Sequence, residues 1–341
     1  MTFHVGLIGG GNISETHARA ARAIAGVEIA AVHGTNSEKV QKLCHEHGGT
    51  PYTDFAGFLS HQPMELVIIG SPSGLHASHG VAAAKQGLHV LTEKPIDVST
   101  LRADGLIEAT ERAGVKLGVI FQDRMKPHIR QLKDWIDRGL LGKPFLVEAR
   151  VKWYRPPEYY SGSRWRGTLE LDGGGALINQ GVHTIDLLLW LLGDVSRVRA
   201  HTATQFHSIE AEDTATAILE FSSGALGIFQ ATTAAYPGYP RRVEISGSEG
   251  TVILEHDRIV AVDLRSAPAE GASFAERDEN QSGSSAVVSD FRGHQAMIED
   301  FLRAIQKNTT PACTGHEGRR SLALVEAIYQ AARSPQRTAT V

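Results

Sequence analysis

The chain has 341 residues, 42% of them hydrophobic, with a formal net charge of −4. That length suits two domains, each able to bury its own core, and the slight acidity excludes nucleic acid and anionic membranes as expected partners. No apolar run reaches the roughly 20 residues of a membrane span, and strand-like sequence starts almost at Met1, so a cytoplasmic protein is expected. Cys44 and Cys313 form no CxxC pair, and the 16 histidines show no metal-ligand spacing, so neither a disulfide framework nor a bound metal is expected.

In chain order, the first third alternates short apolar strands with helical stretches. Strands are predicted over 5–8, 28–32, 66–69, 89–91 and 116–120, and helices over 16–25, 37–47, 76–86 and 100–113. This alternation predicts a doubly wound parallel sheet whose ligand lies beyond the carboxyl ends of the strands. The first strand breaks into Gly9-Gly10-Gly11-Asn12-Ile13-Ser14. Gly9 allows a sharp turn, Gly11 removes a Cβ where a pyrophosphate must approach, and the N–H groups at Asn12 and Ile13 then face the anion. Ser14 stands at the third position of the glycine fingerprint, small enough for close packing of helix on strand.

After residue 121 the pattern changes. A helix over 129–138 precedes alternating segments at 145–152, 198–204, 214–221, 225–233, 242–247 and 251–256, with glycine-containing turns between them. These predict a large, mainly antiparallel open sheet, covered by helices on one face and free on the other to meet a second subunit. Residues 266–290 read as an exposed loop, and helices over 291–307 and 319–332 close the chain. The expected division is a dinucleotide-binding domain over 1–121 and an α+β domain over 122–341 for substrate binding and oligomerisation.

Three further groups of residues stand at the predicted ligand edge or lead into a helix. Ser71, Ser73 and His76 follow the third predicted strand, and the fourth ends in Thr92-Glu93-Lys94-Pro95. Downstream, Asp172-Gly-Gly-Gly runs through Asn179 and Gln180 to His183 and Asp186. A lone lysine at a strand end is ordinarily a solvated charge, and a lone histidine before Leu187–Leu189 is ordinarily packed in a core. In this order and at these separations, however, the elements resemble the Gfo/Idh/MocA family of sugar and inositol oxidoreductases.

The resemblance covers nearly the whole chain. It implies a nicotinamide cofactor held by the first domain and a carbohydrate or cyclitol substrate over the open sheet. It also implies a lysine and a histidine at the reacting carbinol, here Lys94 and His183, and a cis peptide between Lys94 and Pro95. Many members carry Asp four residues before the histidine, where this chain has Asn179. Asn179 shares a helical face with His183 but supplies no charge. Asp186, three residues on, either orients the ring or pairs elsewhere.

Hydride removal from a secondary alcohol leaves a proton for a base, which works best with a pKa near the working pH. Lysine starts near 10.4, and burial beside cofactor, substrate and His183 lowers it. A direct Glu93 ion pair would oppose that shift, so Glu93 is expected to contact cofactor ribose or backbone instead. Trp153, Tyr154, Arg155, Tyr159, Tyr160, Trp165 and Arg166 crowd one short stretch. Aromatic faces stack on sugar C–H surfaces and arginine clamps acids, so Trp153, Tyr154, Tyr160, Trp165 and Arg166 are candidate substrate contacts. Stapling of the loop to the sheet, or a subunit contact, is the alternative. Gln122 and Arg124 follow the fifth predicted strand and are expected to meet the cofactor amide or the substrate.

The second predicted strand ends in His33-Gly34-Thr35-Asn36, without the acid that usually receives the ribose 2′-hydroxyl of NAD. The cofactor is therefore expected to be NAD or NADP, with a slight inclination to NADP. The leading expectation is hydride transfer to or from a ring carbinol of a sugar, sugar derivative or cyclitol. A redox-assisted glycosidase that recycles its cofactor and a non-catalytic dinucleotide-binding regulator are the alternatives, and a homodimer or homotetramer is expected.

Overall fold

A computed structural model describes residues 2–265 and 290–334, so most of the predicted loop at 266–290 lies outside the described residues. Two compact units emerge. Of the described residues, the first comprises 2–126, 170–173 and 290–322, and the second 127–169, 174–265 and 323–334. The first unit thus takes in residues well downstream of the expected boundary after residue 121, because the chain returns to complete its core.

In the first unit, β1 (Phe3–Ile8), α1 (Asn12–Arg22), β2 (Val27–His33), α2 (Ser37–His47), β3 (Thr50–Tyr52) and α3 (Phe55–Leu59) lead to β4 (Leu66–Ile69), α4 (His76–Lys85), β5 (His89–Glu93), α5 (Thr100–Ala113) and β6 (Leu117–Ile120). The strands form one parallel sheet in the order β3-β2-β1-β4-β5-β6. The winding reverses between β1 and β4, and such a reversal opens a crevice at the carboxyl ends of those two strands. Every residue of β4 is buried, as a strand covered on both faces requires.

The glycine turn has a reason visible in its contacts. Gly9 has φ +132°, and an added Cβ would lie 2.6 Å from Ser14 Oγ and 2.7 Å from the Gly70 carbonyl oxygen. α1 begins at Asn12, four residues before the predicted start at 16, because Gly11 is extended and serves as its N-cap.

The second unit contains α6 (Pro127–Asp137), β7 (Pro144–Lys152), α7 (Glu158–Ser161), α8 (Val182–Leu192), β8 (Val195–Ala203), β9 (Thr214–Phe221), β10 (Leu226–Thr232), β11 (Arg242–Gly247), β12 (Gly250–Glu255) and β13 (Arg258–Leu264). Its seven-stranded sheet runs β13-β12-β11-β7-β10-β9-β8 and is antiparallel except for β7 beside β10. Alternate residues of β7 and β9 are buried, so one face is covered. β13 was not predicted: its two-residue hairpin turn is His256-Asp257, both at positive φ, where Asn-Gly would have been the recognisable signal.

α9 (Arg292–Lys307) returns to the first unit and packs on α1, and α10 (Gly315–Arg333) closes the described chain. Among the described residues no helix is long and apolar enough to cross a membrane.

Candidate active site

At the turn after β1, Gly11 precedes an α1 start that no side chain caps. An added Cβ at Gly11 would meet nothing within 4 Å, so nothing in the protein itself demands glycine there. An uncapped helix start beside open space is the arrangement that suits an anion, because the first N–H groups of a helix lack intrahelical partners. Beyond β2, Gly34 packs against Val40, and Thr35 and Asn36 are exposed. Asn36 turns its carbonyl oxygen to the Lys39 N–H at 2.9 Å as the cap of α2. Only its amide group is left for a cofactor.

Residues 93–97 are held at the sheet edge by several hydrogen bonds of Glu93 and Asp97. The Lys94–Pro95 peptide is cis. Glu93 Oε2 accepts the Lys94 N–H at 3.2 Å, while Oε1 lies 3.0 Å from His17 Nε2 and 3.1 Å from His294 Nε2. Burial pushes the Glu93 carboxyl up, but the hydrogen bonds from His17 and His294 hold it well below the ordinary range. Asp97, fully buried, accepts the N–H groups of Ala77 and Val98 and pairs with Arg102.

Several residues expected to contact cofactor or substrate are buried and hydrogen-bonded within the protein. Glu93 is buried and reaches the Lys94 backbone, as one of its two expected alternatives, while its other oxygen turns to histidines rather than to a ribose. His76 is 1% exposed, its Nδ1 2.8 Å from the Pro95 carbonyl and its Nε2 2.9 Å from the Ser71 carbonyl, so both ring nitrogens are engaged by backbone. Arg124 is 3% exposed, with Nη1 2.6 Å from Glu317 and 3.1 Å from the Ala312 carbonyl. Its Nη1 is thus engaged by the stretch that leads into α10 and by α10 itself. Ser73 is buried in a short 3-10 turn. Gln122 remains half-buried with its Oε1 unpartnered among the described residues, an arrangement suited to an incoming donor.

Ser71 Oγ lies 3.0 Å from His79 Nδ1. Burial, with His33 and His76 nearby, pushes the His79 imidazole down to about 4 from 6.5. The unfolded chain therefore takes up this proton first on acidification. The corresponding stability, at most about 3 kcal/mol, is complete above the unfolded pKa and lost as pH falls from there towards the folded value. His79→Gln should show a shallower fall in thermal midpoint between those pH limits. An unchanged slope would show that this ring does not carry the effect.

In the second unit, Gly174 and Gly175 lead into a π-helix over Ala176–Gly181 and then α8. Glu212, absent from the sequence-based expectations, organises this entry. Its Oε2 accepts the Gly175 N–H at 3.1 Å and the Tyr329 hydroxyl at 2.9 Å, and its Oε1 accepts the Leu177 N–H at 2.7 Å. Burial raises the Glu212 pKa despite those donors. A π-helix makes about 4.4 residues per turn, so residues four apart stay nearly aligned across its junction with an α-helix. Asn179 and His183 are both half-buried, whereas Gln180, Thr184 and Asp186 are buried. The buried Gln180 Oε1 has no partner among the described residues.

The aromatic stretch divides in two. Tyr160 is 6% exposed, its hydroxyl 2.9 Å from Thr233 Oγ1 and its ring 4.7 Å from that of His207, so it ties the loop internally. Tyr154 stands edge-on to Tyr236 at 5.2 Å. The Tyr159 ring has the Arg166 guanidinium at 4.1 Å and that of Arg155 at 5.4 Å. Trp153, Trp165 and Arg166 stay half-buried, and Arg166 Nε has no partner among the described residues.

Sheet order, glycine turn and uncapped helix start together define a dinucleotide-binding protein. Comparison with known proteins takes this further. Residues 3–121 match the model described as "Oxidoreductase family, NAD-binding Rossmann fold", and residues 129–253 match the "GFO/IDH/MocA C-terminal domain". The chain belongs to the Gfo/Idh/MocA oxidoreductase family. It is 32% identical to the WlbA dehydrogenase of Bordetella pertussis, solved in complex with NADH and UDP-GlcNAcA, with a TM-score of 0.89 over 98% of this chain and 97% of that one. It is 29% identical to the D-apiose dehydrogenase of Paraburkholderia graminis, over 97% of this chain and 88% of the relative. Identity with the myo-inositol 2-dehydrogenase of Thermotoga maritima is 25%, over 94% and 93% of the two chains. The inclination to NADP finds no support here, since the matched domain is NAD-binding and the WlbA complex holds NADH.

Proposed function

We propose that this protein is an NAD-dependent dehydrogenase acting on a ring carbinol of a sugar derivative, with a UDP-linked sugar acid as the first candidate and a free sugar or inositol next. The observation that carries this reading is the likeness to the WlbA dehydrogenase over nearly the full length of both chains. NAD⁺, when bound at the turn after β1, supplies the hydride acceptor. Lys94 takes the hydroxyl proton as hydride leaves the carbinol carbon, which avoids a protonated ketone. His183, with Asn179, orients the carbinol oxygen by hydrogen bonding. Trp153 and Trp165 give faces for sugar C–H surfaces, and Arg166 gives a donor for an acidic group. The proton therefore moves to a group whose backbone is already fixed, which is the geometric requirement of efficient transfer.

The test is NADH formation, read by absorbance, from UDP-GlcNAcA, D-apiose and myo-inositol with NAD⁺ or NADP⁺ at equal low concentration. Turnover of UDP-GlcNAcA with NAD⁺ well ahead of NADP⁺ is expected. Preference for NADP⁺, or turnover of none of the three, would refute the proposal as stated.

We further propose that the open face of the second sheet pairs with a second copy of the chain. Ile218 and Ile228 sit directly opposite each other on β9 and β10 and are 52% and 47% exposed; Leu146 and Leu226 form a similar pair on β7 and β10. Such a contiguous apolar patch is uncommon on a monomer, and a twofold axis would cover it with itself. Ile228→Lys should yield monomers by light scattering at concentrations where the parent is dimeric or larger. A parent that is already monomeric would remove the idea.

A further inference from the structure

The cluster of His17, Glu93 and His294 is fully inside the first unit and joins three elements distant in sequence. His17 lies on α1, the helix that starts at the glycine turn, Glu93 ends β5, and His294 lies on α9. All three side chains are buried, and one carboxylate oxygen receives both imidazoles through their Nε2 atoms. The other oxygen receives the Lys94 N–H.

We propose that His17 and His294 are positioning residues that hold the Glu93 carboxylate and, through it, the backbone of Lys94. The proposal rests on the reading of Lys94 as the proton acceptor. An ionised carboxylate only accepts, so each Nε2 must carry a hydrogen. In a neutral ring that leaves Nδ1 bare, and the Nδ1 atoms of both rings are buried without a partner among the described residues. A protonated ring would bury an N–H with no acceptor, which is the costlier arrangement for a charged group. Burial correspondingly lowers the pKa of His17. Its ring lies against Gly70, where an added Cβ would come within 3.0 Å of Cε1 and 3.2 Å of Nδ1. The carboxylate thus keeps its charge and accepts three N–H groups, one from each ring and one from the chain at Lys94.

A divalent metal is the competing occupant of the same three ligand atoms. It would bind both Nε2 lone pairs and force the hydrogen onto Nδ1 of each ring. Metal-bound imidazoles almost always donate that hydrogen to an acceptor, and none is present among the described residues at either ring. The donor pattern therefore favours direct hydrogen bonds over a metal.

The full-length protein provides the test without needing a substrate. Long-range nitrogen–proton spectra of ¹⁵N-histidine protein, assigned with His17→Gln and His294→Gln, should show both rings neutral with hydrogen on Nε2. Hydrogen on Nδ1, or stoichiometric zinc in dialysed protein by elemental analysis, overturns the arrangement. Acylation of individual lysines by acetic anhydride, read by peptide mass spectrometry, then follows the position of Lys94. His294→Leu should change the Lys94 rate by about tenfold with other lysines unmoved, and His294→Gln, which keeps an N–H donor, should restore it. A folded His294→Leu protein with an unchanged Lys94 rate defeats the positioning role. Full activity of a Lys94 variant would instead defeat the catalytic reading while leaving these measurements standing.

Discussion

Lys94→Ala is expected to lower kcat by about a thousandfold while changing NADH affinity less than about twofold, since a positioned general base contributes roughly 10²–10⁴. The separation of the two effects follows from which atoms hold the segment in place. The Glu93 carboxylate receives the Lys94 backbone N–H, and His76 engages the Pro95 carbonyl. Truncation at the Lys94 Cβ removes neither contact. Lys94→Arg should remain nearly as slow, because a guanidinium keeps the charge but does not accept a proton near neutral pH. Steady-state turnover together with fluorescence titration of NADH gives both quantities. Retained turnover in either variant would rule out Lys94 as the proton acceptor.

The second large effect is expected at Gly175. An added Cβ there would overlap the Glu212 carbonyl oxygen and come within 2.8 Å of the Glu212 carbonyl carbon. Both atoms belong to backbone, which cannot step aside as a flexible side chain can. The same glycine donates its N–H to the Glu212 carboxylate, whose other oxygen accepts from Leu177. Forcing these strands of chain apart disturbs the entry to the π-helix that carries Asn179 and Gln180. Gly175→Ala should therefore cost about 4 kcal/mol or more, at the severe end for a single substitution. Gly11→Ala is the matched contrast, because its Cβ would face open space. That variant should unfold like the parent and bind NADH more weakly. Denaturation curves and NADH titrations of the pair distinguish a glycine needed by the fold from one needed by the cofactor. Equal stability of Gly175→Ala and the parent would contradict this account.

Residues at the ligand edge were legible to different degrees, for identifiable reasons. β4 and α5 fall where their apolar spacing predicts, because burial on a sheet or helix face imprints its period on the chain. β3 has only three residues and α3 only five, too short for a period to emerge. Arg124 and His76 follow strands as cofactor contacts would, yet both turn inward. Nothing local distinguishes an arginine that meets a substrate from one that meets Glu317, 193 residues away. The contacts of Tyr160 are hidden for the same reason, since its partners Thr233 and His207 lie on other segments.

By itself the order of residues determined a parallel nucleotide-binding sheet, the glycine turn after its first strand and an open, mainly antiparallel second sheet. Periodicity and backbone conformation carry that information, because both act over a few neighbouring residues. Folding decided which polar groups face each other. Glu93 meets His294 across 201 residues, and Glu212 meets Tyr329 across 117. A buried carboxylate is tolerable only where donors converge on it, and convergence over such distances exists only once the chain has folded.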